Sequence, residues 1–309
     1  MKLISDFDGI WTEQGDEAGF VWNYIIDAVT VLSGYQRKST ELFLQQCKLE
    51  MNKNPEKHGW FIGDDAACFY TEDPYGDNNA VFNYISKVNT DKLSADFAEQ
   101  LIVIRESIIK KYKSLSDFSQ ECFTLATGYY KSLGRLEPVS NAEAIVREIN
   151  SLGIDIVVVS NSTTDKIKYL FSRASVEVSS DPLAQRKKVH ARGDAKKYMV
   201  YNSDSTLEKG YKINHKIEVP LRRSNYHQIL IEEKPDFVIG DVFSLDIALP
   251  LHLRMNDKKF SKLKVIQRVQ TYTPDWVKDH LSKAEFKDIA FMVNNVTELP
   301  EVLSRFKKS

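Results

Sequence analysis

The chain opens on Lys2-Leu-Ile-Ser-Asp-Phe-Asp-Gly-Ile-Trp-Thr12, and no other stretch limits the possible folds as strongly. Leu3 and Ile4 predict a buried strand that Gly9 ends, and a period of two sends Asp6 and Asp8 to one side with Phe7 opposite. Two carboxylates then converge where the strand stops. Close like charges push each other's pKa upward, so the pair calls for a balancing positive charge, most naturally a divalent cation. In a chain with 43 acidic residues an Asp-x-Asp also arises by chance at a loop mouth, and the reading needs support from elsewhere.

Two further apolar runs supply that support. Ile154-Asp-Ile-Val-Val-Val-Ser160-Asn161 is β-branched and stops on a hydroxyl and an amide directly before a helix. Asp236-Phe-Val-Ile-Gly240-Asp241-Val-Phe-Ser-Leu-Asp246 stops on Gly-Asp, with another Asp five residues on. In order, the three stretches resemble the motifs of the haloacid dehalogenase (HAD) superfamily. Motif one is similar to Asp6-Phe-Asp8-Gly9 with Thr12, motif two to Ser160, and motif four to Gly240-Asp241 with Asp246.

Between the first two motifs the pattern turns helical. Phe20, Val21, Tyr24, Ile25, Ala28 and Leu32 recur at helical spacing, as do Leu42, Phe43, Gln46 and Leu49, then Val81 to Val88, Leu93 to Tyr112, and Phe118 to Tyr129. Residues 14–137 therefore predict about five helices and no clear strand, resembling the helical cap that many HAD enzymes insert there. The segment from Gly59 to Asn79 reads as a loop, its Asp64, Asp65, Tyr70, Asp73, Tyr75 and Asp77 more simply surface groups than ligands.

Pro138 returns the chain to the remaining core, 1–13 with 138–309. Ser140 and Glu143 have capping-box spacing ahead of a helix ending near Gly153, and Ser162 to Asp165 opens another whose free N–H groups would face an anion held at Ser160. Val176 to Val178 reads as a strand, while Tyr198 to Tyr201 and Tyr211 to Val219 suggest a hairpin. Asn225 to Glu233 reads as a helix, Pro250 limits the next, and strands follow at Lys264 to Ile266 and Ala290 to Val293. Strands alternating with helices predict an α/β fold with a doubly wound, mostly parallel sheet and an inserted all-α cap, with ligands at the carboxyl ends of the strands.

The resemblance implies magnesium-dependent phosphatase chemistry on a small phosphorylated metabolite, with the cap closing over it. Asp6 would attack phosphorus and form an aspartyl-phosphate; Asp8 would first donate a proton to the leaving group, which requires neighbouring negative charge to keep it protonated, and then activate water. Ser160 would bond a phosphoryl oxygen. The Mg2+ ligands would be the Asp6 side chain, the Asp8 backbone carbonyl, Asp241 and Asp246. The dehalogenase branch lacks the second Asp, which favours phosphoryl chemistry. Motif three, normally a Lys before the Gly-Asp strand, is irregular: Arg223 or Arg222 takes the place by chain position, and Lys196 competes if a hairpin carries it inward. The alternatives are a phosphomutase or phosphotransferase, and a non-catalytic HAD-like binding or regulatory protein.

Composition is that of an ordinary soluble globular protein. A net charge of -1, with Lys and Arg scattered, leaves no footprint for nucleic acid, and the Lys110-Lys111 and Lys187-Lys188 runs read as solvated faces. No run is long enough to span a membrane. Cys47, Cys68 and Cys122 lack metal or disulfide spacing and predict apolar packing. His190, His215 and His227 show no ligand spacing. The start at a strand argues against a signal peptide, so a cytoplasmic location is expected.

Overall fold

The computed structural model describes residues 1–179 and 189–306; the Lys187-Lys188 run lies outside the described residues. The chain forms two compact units, Met1–Glu13 with Glu137–Ser309, and Gln14–Leu136.

With elements numbered along the whole chain, the first unit holds β1 (Lys2–Ser5), β4 (Asp155–Val159), β5 (Val178–Ser179), β6 (Val189–Arg192), β9 (Phe237–Gly240), β10 (Lys264–Arg268) and β11 (Ala290–Val293). They make a seven-stranded sheet in the order β11-β10-β9-β1-β4-β6-β5, with each pairing parallel. Helices α6 (Ala142–Ser151), α7 (Thr164–Arg173), α8 (Ser224–Glu233), α9 (Ala248–Asn256), α10 (Asp275–Leu281) and α11 (Leu299–Ser304) flank it. Ile156 to Val159 are all buried, which is why β4 reads as an unbroken apolar run: a parallel strand is covered on both faces. The α/β fold with a parallel sheet is the one the sequence predicts.

Register fixes the site. Ser5 of β1 pairs with Val158 of β4 on one side and Ile239 of β9 on the other. The chain leaves β1 for β4 in one direction and comes back for β9 in the other, so the three carboxyl ends border a topological switch point, where open α/β sheets bind ligands.

Several local expectations change. The Ser140 capping box does not form, because the chain enters α6 through a left-handed turn at Asn141 (φ 66°) with no side-chain cap. Helix α7 is capped by Thr163, whose hydroxyl accepts from the Lys166 N–H at 3.2 Å. The hairpin is formed by β7 (Gly210–Lys212) and β8 (Glu218–Pro220); Tyr198 to Tyr201 is not a strand but a turn tied to Arg222 by the Tyr201 N–H at 2.8 Å. Pro250 lies within the first turn of α9. Its missing N–H cannot serve the Asp246 carbonyl, which accepts from the Tyr226 hydroxyl at 3.0 Å, and the preceding turn, Phe243–Ile247, widens to a π-helix.

The second unit holds α1 (Gly15–Ser33), α2 (Arg37–Asn52), α3 (Pro74–Lys87), α4 (Ala95–Ile109) and α5 (Leu115–Ser132) around one apolar cluster. The predicted absence of strands is corrected: β2 (Gly59–Ile62) and β3 (Asp65–Phe69) form an antiparallel hairpin across a Gly63-Asp64 turn. On α2 the buried side is Phe43, Leu44, Cys47 and Met51, with Leu42 and Leu49 exposed. The polar groups near this hairpin serve the unit's own structure. Asp73 caps α3 by accepting from the Tyr75 N–H at 2.9 Å, Asp77 accepts from the Thr71 N–H at 2.7 Å, and the Tyr75 hydroxyl donates to Glu17 at 2.6 Å. The three cysteines are buried and form no disulfide. Among the described residues no helix is long and apolar enough to cross a membrane.

Candidate active site

Asp6 is the first residue past β1, and its N–H donates to the Ile239 carbonyl at 2.9 Å, which holds the loop against β9. Phe7 points the other way, buried against Phe171 of α7 at 5.3 Å between ring centroids. The chain then turns tightly through Gly9 (φ 75°). A Cβ there would stand 2.1 Å from Asp241 Oδ2, and one on Gly240 would stand 2.1 Å from Asp246 Cβ. Gly9 lets the loop after β1 close on Asp241, and Gly240 lets the π-turn fold back over the end of its own strand.

The carboxylates of Asp6, Asp241 and Asp246 meet as a result, each offering an oxygen within 4.8 Å of the others. Asp241 and Asp246 are buried. Lys197 joins them: its Nζ lies 2.7 Å from Asp6 Oδ1 and 2.5 Å from Asp246 Oδ1. Burial works against the Lys197 ammonium, but Asp246 and Asp6 outweigh it and raise its pKa. Burial pushes the Asp6 carboxyl up to about 7; Lys197 opposes the shift while Asp246 and Asp8 add to it. Three carboxylates against one ammonium leave an excess of buried negative charge. An all-oxygen donor set of that charge fits a hard divalent cation.

The motif-three expectation is corrected. Lys197 reaches Asp6 and Asp246, whereas Lys196 is exposed with φ 49°, and Arg223 serves the backbone. Arg223 is fully buried and donates to the Lys197 carbonyl at 2.7 Å, while the Asn161 side-chain oxygen accepts from the Lys197 N–H at 2.7 Å. The Lys197 peptide is gripped from both sides, and Arg222 bonds the Leu207 and Asn202 carbonyls. The ammonium beside the triad is that of Lys197, one position on from Lys196, which the sequence offered only as an alternative to Arg223 and Arg222.

Asp8 stands outside the acidic triad, so any part in ion binding falls to its backbone carbonyl. Its carboxylate accepts from the Ser162 hydroxyl at 2.5 Å and pairs with Lys166 Nζ at 2.9 Å. Burial alone would raise this carboxyl; Lys166 and Ser162 outweigh it and hold Asp8 below the usual carboxylate range. The surroundings therefore favour the anion, the reverse of the expected proton-holding environment. Ser160 is buried at the end of β4, where its hydroxyl accepts from the Ser162 N–H at 3.1 Å.

A further layer comes from the end of β10. The Gln267 amide donates to the Asp241 carbonyl at 2.6 Å, and the Tyr272 hydroxyl donates to Asp241 Oδ2 at 2.5 Å. The Arg268 guanidinium and the Gln270 amide donate to the Gly9 carbonyl at 2.6 and 2.9 Å. Sequence reasoning missed Lys197, Lys166, Ser162 and Tyr272. The three residues from Ser162 to Thr164 do carry hydroxyls at a helix start, the only local signal among them.

No protein-family model matches the chain, and no curated protein matches it in sequence. The chain is similar in fold to several solved structures. They include a 2-haloacid dehalogenase from Pseudomonas syringae pv. Tomato DC3000 (13% identity, 99% of this chain and 98% of that one, TM-score 0.39). CbbY from Rhodobacter sphaeroides in complex with phosphate shares 12% identity over 96% and 95% of the two chains, with a TM-score of 0.39. A hydrolase from Pseudomonas syringae shares 10% identity over 99% of each chain, with a TM-score of 0.45.

Proposed function

We propose that the chain is a HAD-type phosphatase that hydrolyses a small phosphorylated metabolite with Mg2+. The observation that carries this reading is the meeting of Asp6, Asp241 and Asp246 within 4.8 Å, with Lys197 bridging Asp6 and Asp246. Phosphate esters resist attack because their anionic oxygens repel a nucleophile, and this site combines an attacking oxygen with fixed positive charge.

Asp6 would attack phosphorus as the ester P–O bond breaks, giving an aspartyl-phosphate. Asp8, which Lys166 and Ser162 hold as the anion in the free protein, would first take up a proton as the anionic ester arrives beside it and then pass it to the leaving oxygen. In the second half, water attacks the phosphorus and Asp8 takes the water's proton, releasing phosphate and restoring Asp6. The pairing of Asp8 with Lys166 and Ser162 favours that second task. Lys197 would offset charge between nucleophile and phosphate, and Ser160 together with the α7 N-terminus would hold phosphoryl oxygens. A bound Mg2+, held by Asp6, Asp241, Asp246 and the Asp8 carbonyl, would supply electrostatic stabilisation of the phosphoryl group.

The test is phosphate release from an aryl phosphate by metal-stripped protein, with and without added Mg2+, beside Asp6→Asn. Release that requires Mg2+ and vanishes in the variant is expected. Equal release in chelator, or full activity in Asp6→Asn, would overturn the reading.

A further inference from the structure

Among the missed residues, Tyr272 alone puts a neutral donor on one of the triad carboxylates. Its hydroxyl donates to Asp241 Oδ2 at 2.5 Å, and its loop is fixed independently of that contact. The Val269 N–H donates to the Val293 carbonyl at 2.7 Å, the Gln270 N–H to the Thr273 hydroxyl at 2.8 Å, and the Thr273 N–H back to the Gln270 carbonyl at 3.0 Å. The Gln270 side chain also donates to the Gly9 carbonyl at 2.9 Å. One turn thus reaches both the loop that follows Asp6 and the carboxylate of Asp241. The Asp241 backbone is held as well, by Gln267 at 2.6 Å.

A carboxylate held this way has one oxygen engaged by a phenol and fixed in orientation. Ca2+ sites take six to eight oxygens and often use a carboxylate through both of them, whereas Mg2+ demands a strict six-fold shell and takes few protein carboxylates. We infer that Tyr272 is a positioning residue that restricts Asp241 to ligation through its other oxygen, and so biases the site toward Mg2+ over Ca2+. The inference rests on the metal-dependent reading above and adds to it a determinant of ion choice outside the four motifs. The phenol's role runs through Asp241, the carboxylate to which it donates.

The experiment measures Mg2+ and Ca2+ binding by calorimetry on the full chain without substrate, for the wild type and for Tyr272→Phe. Removing an outer partner of a metal ligand typically costs about 10- to 100-fold in affinity. Mg2+ binding is expected to weaken about tenfold, at the low end of that range, while Ca2+ binding is unchanged or tighter, so the preference for Mg2+ collapses. Thr273→Val, which keeps the phenol but removes the hydroxyl that fixes its turn, is expected to move the preference in the same direction by less. The melting profile of each metal-free variant shows whether it folds. Mg2+ and Ca2+ affinities both within twofold of wild type in Tyr272→Phe, or an equal loss for both ions, would overturn the inference. A wild type that binds no Mg2+ would defeat the metal-dependent reading too, and that outcome is visible before any variant is made.

Discussion

Lys197 Nζ lies 2.5 Å from Asp246 Oδ1, both side chains 2% exposed, although the two residues stand 49 positions apart in the chain. The contact makes the site one electrostatic unit: the triad tolerates burial because the ammonium is there, and the ammonium stays charged because of the triad.

Removing that ammonium is expected to cost stability as well as activity. Lys197→Met leaves buried carboxylates facing one another, and breaking a buried pair from one side typically costs about 3–5 kcal/mol. Urea unfolding of the metal-free protein checks this. Lys196→Met, on an exposed side chain, is expected to stay within about 0.5 kcal/mol of wild type.

Asp6 sets a pH dependence of the opposite sense to that of an ordinary carboxylate. Its pKa in the folded, metal-free protein rises from 3.8 to about 7, so between these values the folded state binds a proton the unfolded state releases. Its contribution to stability is therefore full below about 4, lost as pH rises to about 7, and flat beyond. Melting temperatures in chelator from pH 4 to 8 are expected to fall less steeply in Asp6→Asn than in wild type.

Lys166→Met is expected to act on Asp8. With the ammonium gone, burial is less opposed and the Asp8 carboxyl rises from its depressed value. The acid limb of kcat against pH, measured with an aryl phosphate so that Asp8 acts as base on the aspartyl-phosphate, is expected to move to higher pH. An unmoved limb would separate Asp8 from the titration that governs turnover.

Tyr226→Phe tests the widened turn that carries Asp246. The lost hydroxyl is the donor to the Asp246 carbonyl, which Pro250 cannot serve. Leaving a buried acceptor short of its partner costs about 1–3 kcal/mol, read as a shift in the urea midpoint at unchanged slope.

The order of these effects mirrors what the sequence made legible. β1, β4 and β9 were readable because each ends an apolar run on a polar residue, a local pattern, and Asp6, Asp241 and Asp246 follow directly from it. Lys197 was not, because its neighbour Lys196 has the same side chain and only the turn beyond β6 decides which one faces inward. Lys166 reaches Asp8 across 158 residues, and Tyr272 reaches Asp241 from a loop with no motif of its own. The β2 and β3 hairpin was overlooked although Gly63-Asp64 between two apolar runs is a recognised turn signal. Pro250 misled because the Tyr226 hydroxyl supplies the donor that the proline lacks, so the helix runs on through it.

The central claim is that Asp6 itself receives the phosphoryl group. Protein quenched during turnover with Mg2+ and an aryl phosphate, reduced with borohydride and mapped by mass spectrometry, tests it most directly, since an acyl phosphate is reduced where a free carboxylate is not. The account predicts reduction at Asp6 that requires both substrate and Mg2+. Sustained phosphate release with Asp6 unmodified at every quench time would contradict it.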